Sequence, residues 1–312
     1  MAKPKIRALD AMPAEVKVLY TKLLGVQSIV DGQMHSKEFS DLYLFMVQIG
    51  LDSTSRDEVK RFLVSNNSIE IFEIALDIVS LVDEHEKDAI RFSIIKDLIR
   101  IARVDGYEAS EELSNIHLTA SKLYVGDSDR ADKVIVLAQE TIQYDEKLLK
   151  GELSESEIKK GAKDLAAKAA AIGVPIAAIY FSGSVIGLSA AGITSGLAAV
   201  GLGGVLGFSA MVTGIGVVVI LGIATYTASK WVLSRSQAER DKKREFIIQE
   251  VLRLHQEAIA ALAEDLNALA SQMENLSSQS EKNKEMLLRL RKLYEMAIQS
   301  LQEREALYAT AK

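Results

Sequence analysis

The chain has 312 residues, of which 48% are hydrophobic and 6% aromatic, with no cysteine, three prolines and a formal net charge of −6. Without cysteine there are no disulfides and no thiolate chemistry, the scarcity of aromatics argues against a β-sandwich, and a chain of this length predicts two or three domains. Residues 1–168 carry 23 Lys and Arg against 30 Asp and Glu, and residues 230–312 carry 14 against 13; so acidic a front half excludes a general nucleic-acid binder, which needs a clustered basic surface.

The N-terminus, Met1 to Arg7, is charged and has no apolar segment behind it, which predicts no cleavable signal peptide. An internal repeat then organises the first 150 residues. Val30-Asp31-Gly32-Gln33-Met34-His35-Ser36-Lys37-Glu38-Phe39 aligns without gaps on Val104-Asp105-Gly106-Tyr107-Glu108-Ala109-Ser110-Glu111-Glu112-Leu113, an offset of 74. Leu42 and Leu44 keep the register with Ile116 and Leu118. Each copy predicts an apolar helix ending at Asp-Gly, where Gly supplies a left-handed C-terminal cap. A new helix then starts at Ser36 or Ser110, where a hydroxyl caps free N–H groups. Glu38, Glu111 and Glu112 fall in the first turn, on the positive end of the helix dipole. Further helices are predicted over 57–64, 69–82 and from Val134.

This pattern resembles the tellurite-resistance TerB-like family over residues 15–150, best in Ile99 to Gly106 followed by Ser110-Glu111-Glu112. The resemblance implies an all-α cytoplasmic domain of two related four-helix units, linked to stress responses and membrane-associated assemblies. It also implies acidic residues that attract a divalent cation, here Asp31, Glu38, Asp105, Glu111 and Glu112. Capping alone accounts for the same residues, and they lack the alternating carboxylates of a calcium loop. The acidic clusters Asp83 to Asp88 and Asp127 to Asp132 read as solvated turns.

Residues 143–168 form a charged, partly helical connector. Between Lys168 and Lys230 there is no charged side chain, and about 20 apolar residues suffice for one helical crossing of a bilayer. Gly183, Gly187, Ala191, Ser195, Ala199, Gly203 and Gly207 recur every fourth residue, with Gly192 and Gly196 beside them. Small side chains at that spacing let helices approach closely in lipid. Lys159, Lys160, Lys163 and Lys168 precede the run; Lys230, Arg235 and Arg240 follow it. Basic flanks stay cytoplasmic, so the run predicts an even number of crossings, 177–200 and 205–229, with Tyr180, Tyr226 and Trp231 at the interfaces beside Lys168 and Lys230. Two other fates compete. The run is either a stored hairpin released on contact with membrane, as in the cytolysin A type of helical pore-forming toxin that it resembles, or a buried core.

After the run, Ile247, Val251, Leu254, Ala258, Leu262, Leu266, Leu269, Met273 and Leu276 form an apolar seam with a stutter near Leu262. Leu287, Leu290, Tyr294, Ala297 and Leu301 form a second, which predicts an antiparallel helical hairpin. As a single helix, 230–276 would extend about 70 Å.

Little points to catalysis. His35, His85, His117 and His255 have no paired metal spacing. No phosphate loop or nucleophile elbow exists, and Gly201-x-Gly203-Gly204-x-x-Gly207 has the wrong spacing for a dinucleotide. The sequence therefore predicts an all-α, non-enzymatic protein of the bacterial inner membrane with both termini cytoplasmic. Its expected partners are the lipid bilayer and a second copy or a helical protein, with no cofactor beyond a possible divalent cation. A soluble or exported pore-forming effector and a metal-sensing module are the alternatives.

Overall fold

The computed structural model describes residues 6–7, 9–29, 36–65, 70–103, 110–149, 155–175 and 256–268, with isolated positions between 253 and 302. Among them the fold is all-α, without a strand: α1 (Ala14–Ser28), α2 (Ser36–Gln48), α3 (Ser53–Val64), α4 (Ile71–Leu81), α5 (Lys87–Arg103), α6 (Ser110–Leu123), α7 (Ser128–Leu149) and α8 (Glu155–Ala171). A further helical stretch runs over 256–268. The repeat register appears in the backbone, since α2 starts at Ser36 and α6 at Ser110. Within those helices Leu42 and Ile116 are both in the core. Leu118 is on the surface, because a step of two residues turns a helix by about 200°.

Local chemistry explains the boundaries. At the end of α2, Gly50 adopts φ +69, its N–H donates to Val47 O, and Leu51 N–H donates to Met46 O. This left-handed stop satisfies two carbonyls that the helix leaves open. Two residues later Asp52 caps α3 by accepting from Ser55 N–H at 2.8 Å. Asp127 does the same for α7, accepting from Arg130 N–H at 3.0 Å. In α4, Ile71, Ile74, Ala75, Ile78 and Val79 are buried, the i, i+3, i+4, i+7, i+8 stripe of an amphipathic helix.

α5 is different. It packs against α1, α4, α6 and α7, and every residue from Phe92 to Arg100 is buried. A helix enclosed on all sides has no solvent face for its polar residues, so Lys96, Asp97 and Arg100 are forced inside.

α8 packs on α7, where Gly161 lies against Tyr144; a methyl group at Gly161 would come within 2.5 Å of the ring. Leu165, Ala169 and Val174 enter the core. The first residues of the uncharged run thus belong to this helical body. Gly173 ends α8 with φ +71, its N–H donating to Ala170 O while Val174 N–H donates to Ala169 O. The Gly173→Ala variant is expected to lose about 1–2 kcal/mol of stability, because a Cβ is disfavoured at positive φ and would sit 3.1 Å from Arg130 Nη2. Urea unfolding of the two chains measures it.

Candidate functional site

Helix 256–268 lies on the surface of α2 and α3 and closes a buried cluster of charge. Arg56 and Lys60 are one turn apart on α3 and share a face. Arg56 Nε and Nη2 donate to Asp265 Oδ2 and Oδ1 at 3.1 and 3.0 Å. Lys60 Nζ is 3.0 Å from Asp265 Oδ2, an ion-pair contact, and Tyr43 Oη of α2 donates to that same oxygen at 2.8 Å. Arg56 also holds Leu51 O at 3.0 Å and Glu264 Oε2 at 2.7 Å. Asp265, Arg56 and Lys60 are 2%, 5% and 1% exposed, so water does little to screen them.

The electrostatics follow from that enclosure. Burial pushes the Asp265 carboxyl up, but the Arg56 hydrogen bonds and the Lys60 charge outweigh it and hold the group below the ordinary carboxylate range. Burial pushes the Tyr43 hydroxyl well up, and the Asp265 charge adds to this, so the phenol stays neutral and serves only as a donor. Removing one partner of such a buried pair costs about 3–5 kcal/mol, because the charge that remains is stranded. The arrangement docks a helix; no nucleophile in it is activated.

The second buried set is central. Tyr20 Oη of α1 donates to Asp97 Oδ2 at 2.6 Å and Arg100 Nη1 to Asp97 Oδ1 at 3.2 Å. Burial pushes the Asp97 carboxyl up to about 7 against the pull of Arg100, Tyr20 and Lys96.

The third anchors the start of the uncharged run. Arg130 of α7 donates from Nε to Ile172 O at 2.9 Å, pairs with Asp88 at 3.1 Å and lies 5.0 Å over the Tyr124 ring. A guanidinium at the end of α8 satisfies open carbonyls and complements the helix dipole.

Of the residues singled out from the sequence, Asp31 and Asp105 lie outside the described residues. Glu38, Glu111 and Glu112 fall in the first turns of α2 and α6, and the Glu112 side chain is half-buried. Gly183, Gly187, Gly192, Gly196, Gly203, Gly207, Tyr180, Tyr226, Lys230 and Trp231 also lie outside the described residues. Lys168 is on the exposed side of α8, paired with Glu140. Among the described residues no helix is long and apolar enough to cross a membrane.

Asp83, His85 and Glu86 bring possible ligand atoms within 4.8 Å of one another, but Arg7 already occupies the carboxylates. Its guanidinium donates to Glu86 at 2.9 and 2.6 Å and to Asp83 at 2.8 Å. Glu86 is fully buried and is held below the carboxylate range by the Arg7 hydrogen bonds. What reads in the sequence as a solvated turn is therefore the anchor of an N-terminal strap. Its partner sits 79 positions earlier, beyond the reach of any local pattern.

Sequence reasoning missed Arg56, Lys60 and Asp265 as well. The one available signal was Asp265 beside the apolar seam residues Leu262 and Leu266, where a charge on the buried edge of a helix needs a partner. Comparison with family models, with characterised proteins and with solved structures found no match for this chain.

Proposed function

We propose that this is a non-enzymatic helical protein of a bacterial stress-response or defence system, anchored in the inner membrane by its Gly-rich apolar run. In this reading a TerB-like helical body on the cytoplasmic side holds the run, and the protein assembles through the hairpin and the helices beyond it. One observation carries the reading. Both flanks of the uncharged run are tied to the same helical body, upstream by Arg130 at Ile172 and downstream by Asp265 on Arg56 and Lys60. For a run that crosses a membrane, attachment of both ends to one body requires an even number of crossings. That agrees with basic flanks that stay cytoplasmic and with a hairpin packed through small residues.

Fractionation tests this. The wild-type chain is expected in the membrane pellet after an alkaline wash and in solution only with detergent. Leu188→Arg with Val218→Arg places a charge in each proposed crossing, at about 2.5–3.5 kcal/mol apiece, and is expected to move the protein out of the pellet. Wild-type protein that is fully soluble without detergent and ignores liposomes would remove the reading.

The burial of Ala169 and Val174 in the helical core favours a second reading, a stored hairpin that inserts later. Protein that purifies without detergent and then permeabilises liposomes selects it.

A further inference from the structure

We propose that the cradle formed by Tyr43, Arg56 and Lys60 is a receptor for an acidic amphipathic helix, which the chain's own residues 256–268 fill as an exchangeable ligand and which the same segment of a second copy fills on association. The inference goes beyond the membrane reading and does not depend on it.

Three observations carry it. First, among the described residues the docked helix buries little apolar surface. Ala258, Ala261 and Leu262 are buried and Leu266 is partly buried against the core, whereas α1 alone buries Val16, Val18, Tyr20, Leu23 and Leu24. The hydrophobic effect scales with area, so recognition here rests on the carboxylates.

Second, the complementarity is specific in place and sign. Without the helix, α3 would present Arg56 and Lys60 beside the Tyr43 hydroxyl. With it, Asp265 meets all three and Glu264 meets the outer side of Arg56. Because these groups are buried, a helix lacking the carboxylate leaves two cations stranded and is rejected.

Third, the contact is remote in the chain. Its hydrogen bonds join residues 208 to 222 positions apart, and residues 176–255 connect the helix to the end of α8. The closure entropy of so long a connection lowers the advantage of the chain's own helix below that of a short tether. A neighbour's identical helix competes once its local concentration approaches the effective concentration of the tethered one, about millimolar for a short linker and lower for a long one. Exchange of an identical element between copies is a low-cost route to association, and confinement at a surface raises that concentration.

A complementation experiment with full-length chains tests this. The receptor chain carries Asp265→Ala, which disables its own helix and leaves the cradle intact. The donor chain carries Arg56→Met and Lys60→Met, which disables the cradle and leaves the helix intact. Each is labelled with one dye of an energy-transfer pair, and all pairings are measured in the same buffer and detergent, so that shared micelles cancel. The receptor–donor pair is expected to associate at least about tenfold more tightly than receptor with receptor or donor with donor. Adding Asp265→Asn to the donor is expected to abolish the difference.

Equal transfer in all pairings, or a receptor–donor signal that survives loss of the donor's Asp265, overturns the proposal. So does absence of transfer between chains that both melt cooperatively. Should Asp265→Ala fail to fold, Asp265→Asn, which keeps an acceptor for Tyr43, takes its place as receptor. Membrane fractionation of the same chains is read separately: loss of exchange with an unchanged pellet rejects the receptor, and loss of the pellet with intact exchange rejects the anchor.

Discussion

Asp265→Ala is expected to weaken the closed protein by about 3–5 kcal/mol. The physical cause is the charge left behind. Arg56 and Lys60, 5% and 1% exposed, would keep their positive charges without the carboxylate that both contact. At about 2–4 °C per kcal/mol for a domain of this size, melting should fall by roughly 10 °C. Hydrogen exchange should show residues 256–268 losing their protection while α4 and α5 keep theirs. Combining the change with Arg56→Met and Lys60→Met removes the stranded cations and should recover about half of the loss or more. Unchanged protection over 256–268 in Asp265→Ala would show that the carboxylate does not hold the helix. The pH dependence has a definite sign. Asp265 is held below its ordinary value of 3.8, so its contribution is complete above pH 4 and disappears as the pH falls through the lowered value. Acid should therefore release this helix.

The second large effect lies at the centre of the bundle and has the opposite pH sign. Asp97→Ala is expected to cost about 3 kcal/mol, since the buried hydrogen bonds from Tyr20 and Arg100 lose their acceptor and a cavity is left in the core. Burial raises the Asp97 carboxyl from 3.8 to about 7, so the folded chain binds a proton there that the unfolded chain releases between those values. The resulting stability is fully present below pH 4 and is lost as the pH rises through 7. Between pH 5 and pH 8 the wild type is expected to lose about 2–3 kcal/mol from this group, nearly all of it by pH 7, at about 1.4 kcal/mol per pH interval when fully coupled. Asp97→Asn removes the titration and should flatten that slope. Urea unfolding at pH 5, 6.5 and 8 decides it: equal slopes in the two chains would mean that Asp97 titrates alike in the folded and unfolded states. Tyr20→Phe offers a milder check, because it removes only the 2.6 Å hydrogen bond to Asp97, worth about 0.5–1.5 kcal/mol to the neutral carboxyl and about 1.5–3 kcal/mol once it ionises.

Much of the helical architecture was legible in the residues. The all-α class followed from the absence of breakers and the apolar periodicity. The register of α2 and α6 followed from the repeat at offset 74, and the helix expected over 69–82 is α4. These features arise within one or two turns of chain, where capping and side-chain periodicity operate. The candidate site was not legible. Arg56 and Lys60 on α3 look like ordinary surface charges, and Asp265 looks like the polar edge of a seam. Their meaning depends on a contact spanning more than 200 positions. Nothing in the sequence marks Lys96, Asp97 and Arg100 as buried; four other helices enclose them.

The chain alone determined the all-α class, the starts of α2 and α6 at the two repeated serines, and the long uncharged run that calls for a special environment. The tertiary structure decided which charges are buried, that the N-terminal Arg7 straps Glu86, and that the segment after the uncharged run returns to α2 and α3. The division has one cause. Caps and periodic stripes are set by neighbours in sequence, whereas the energy of a charge depends on how much water remains around it, and only the assembled helices determine that.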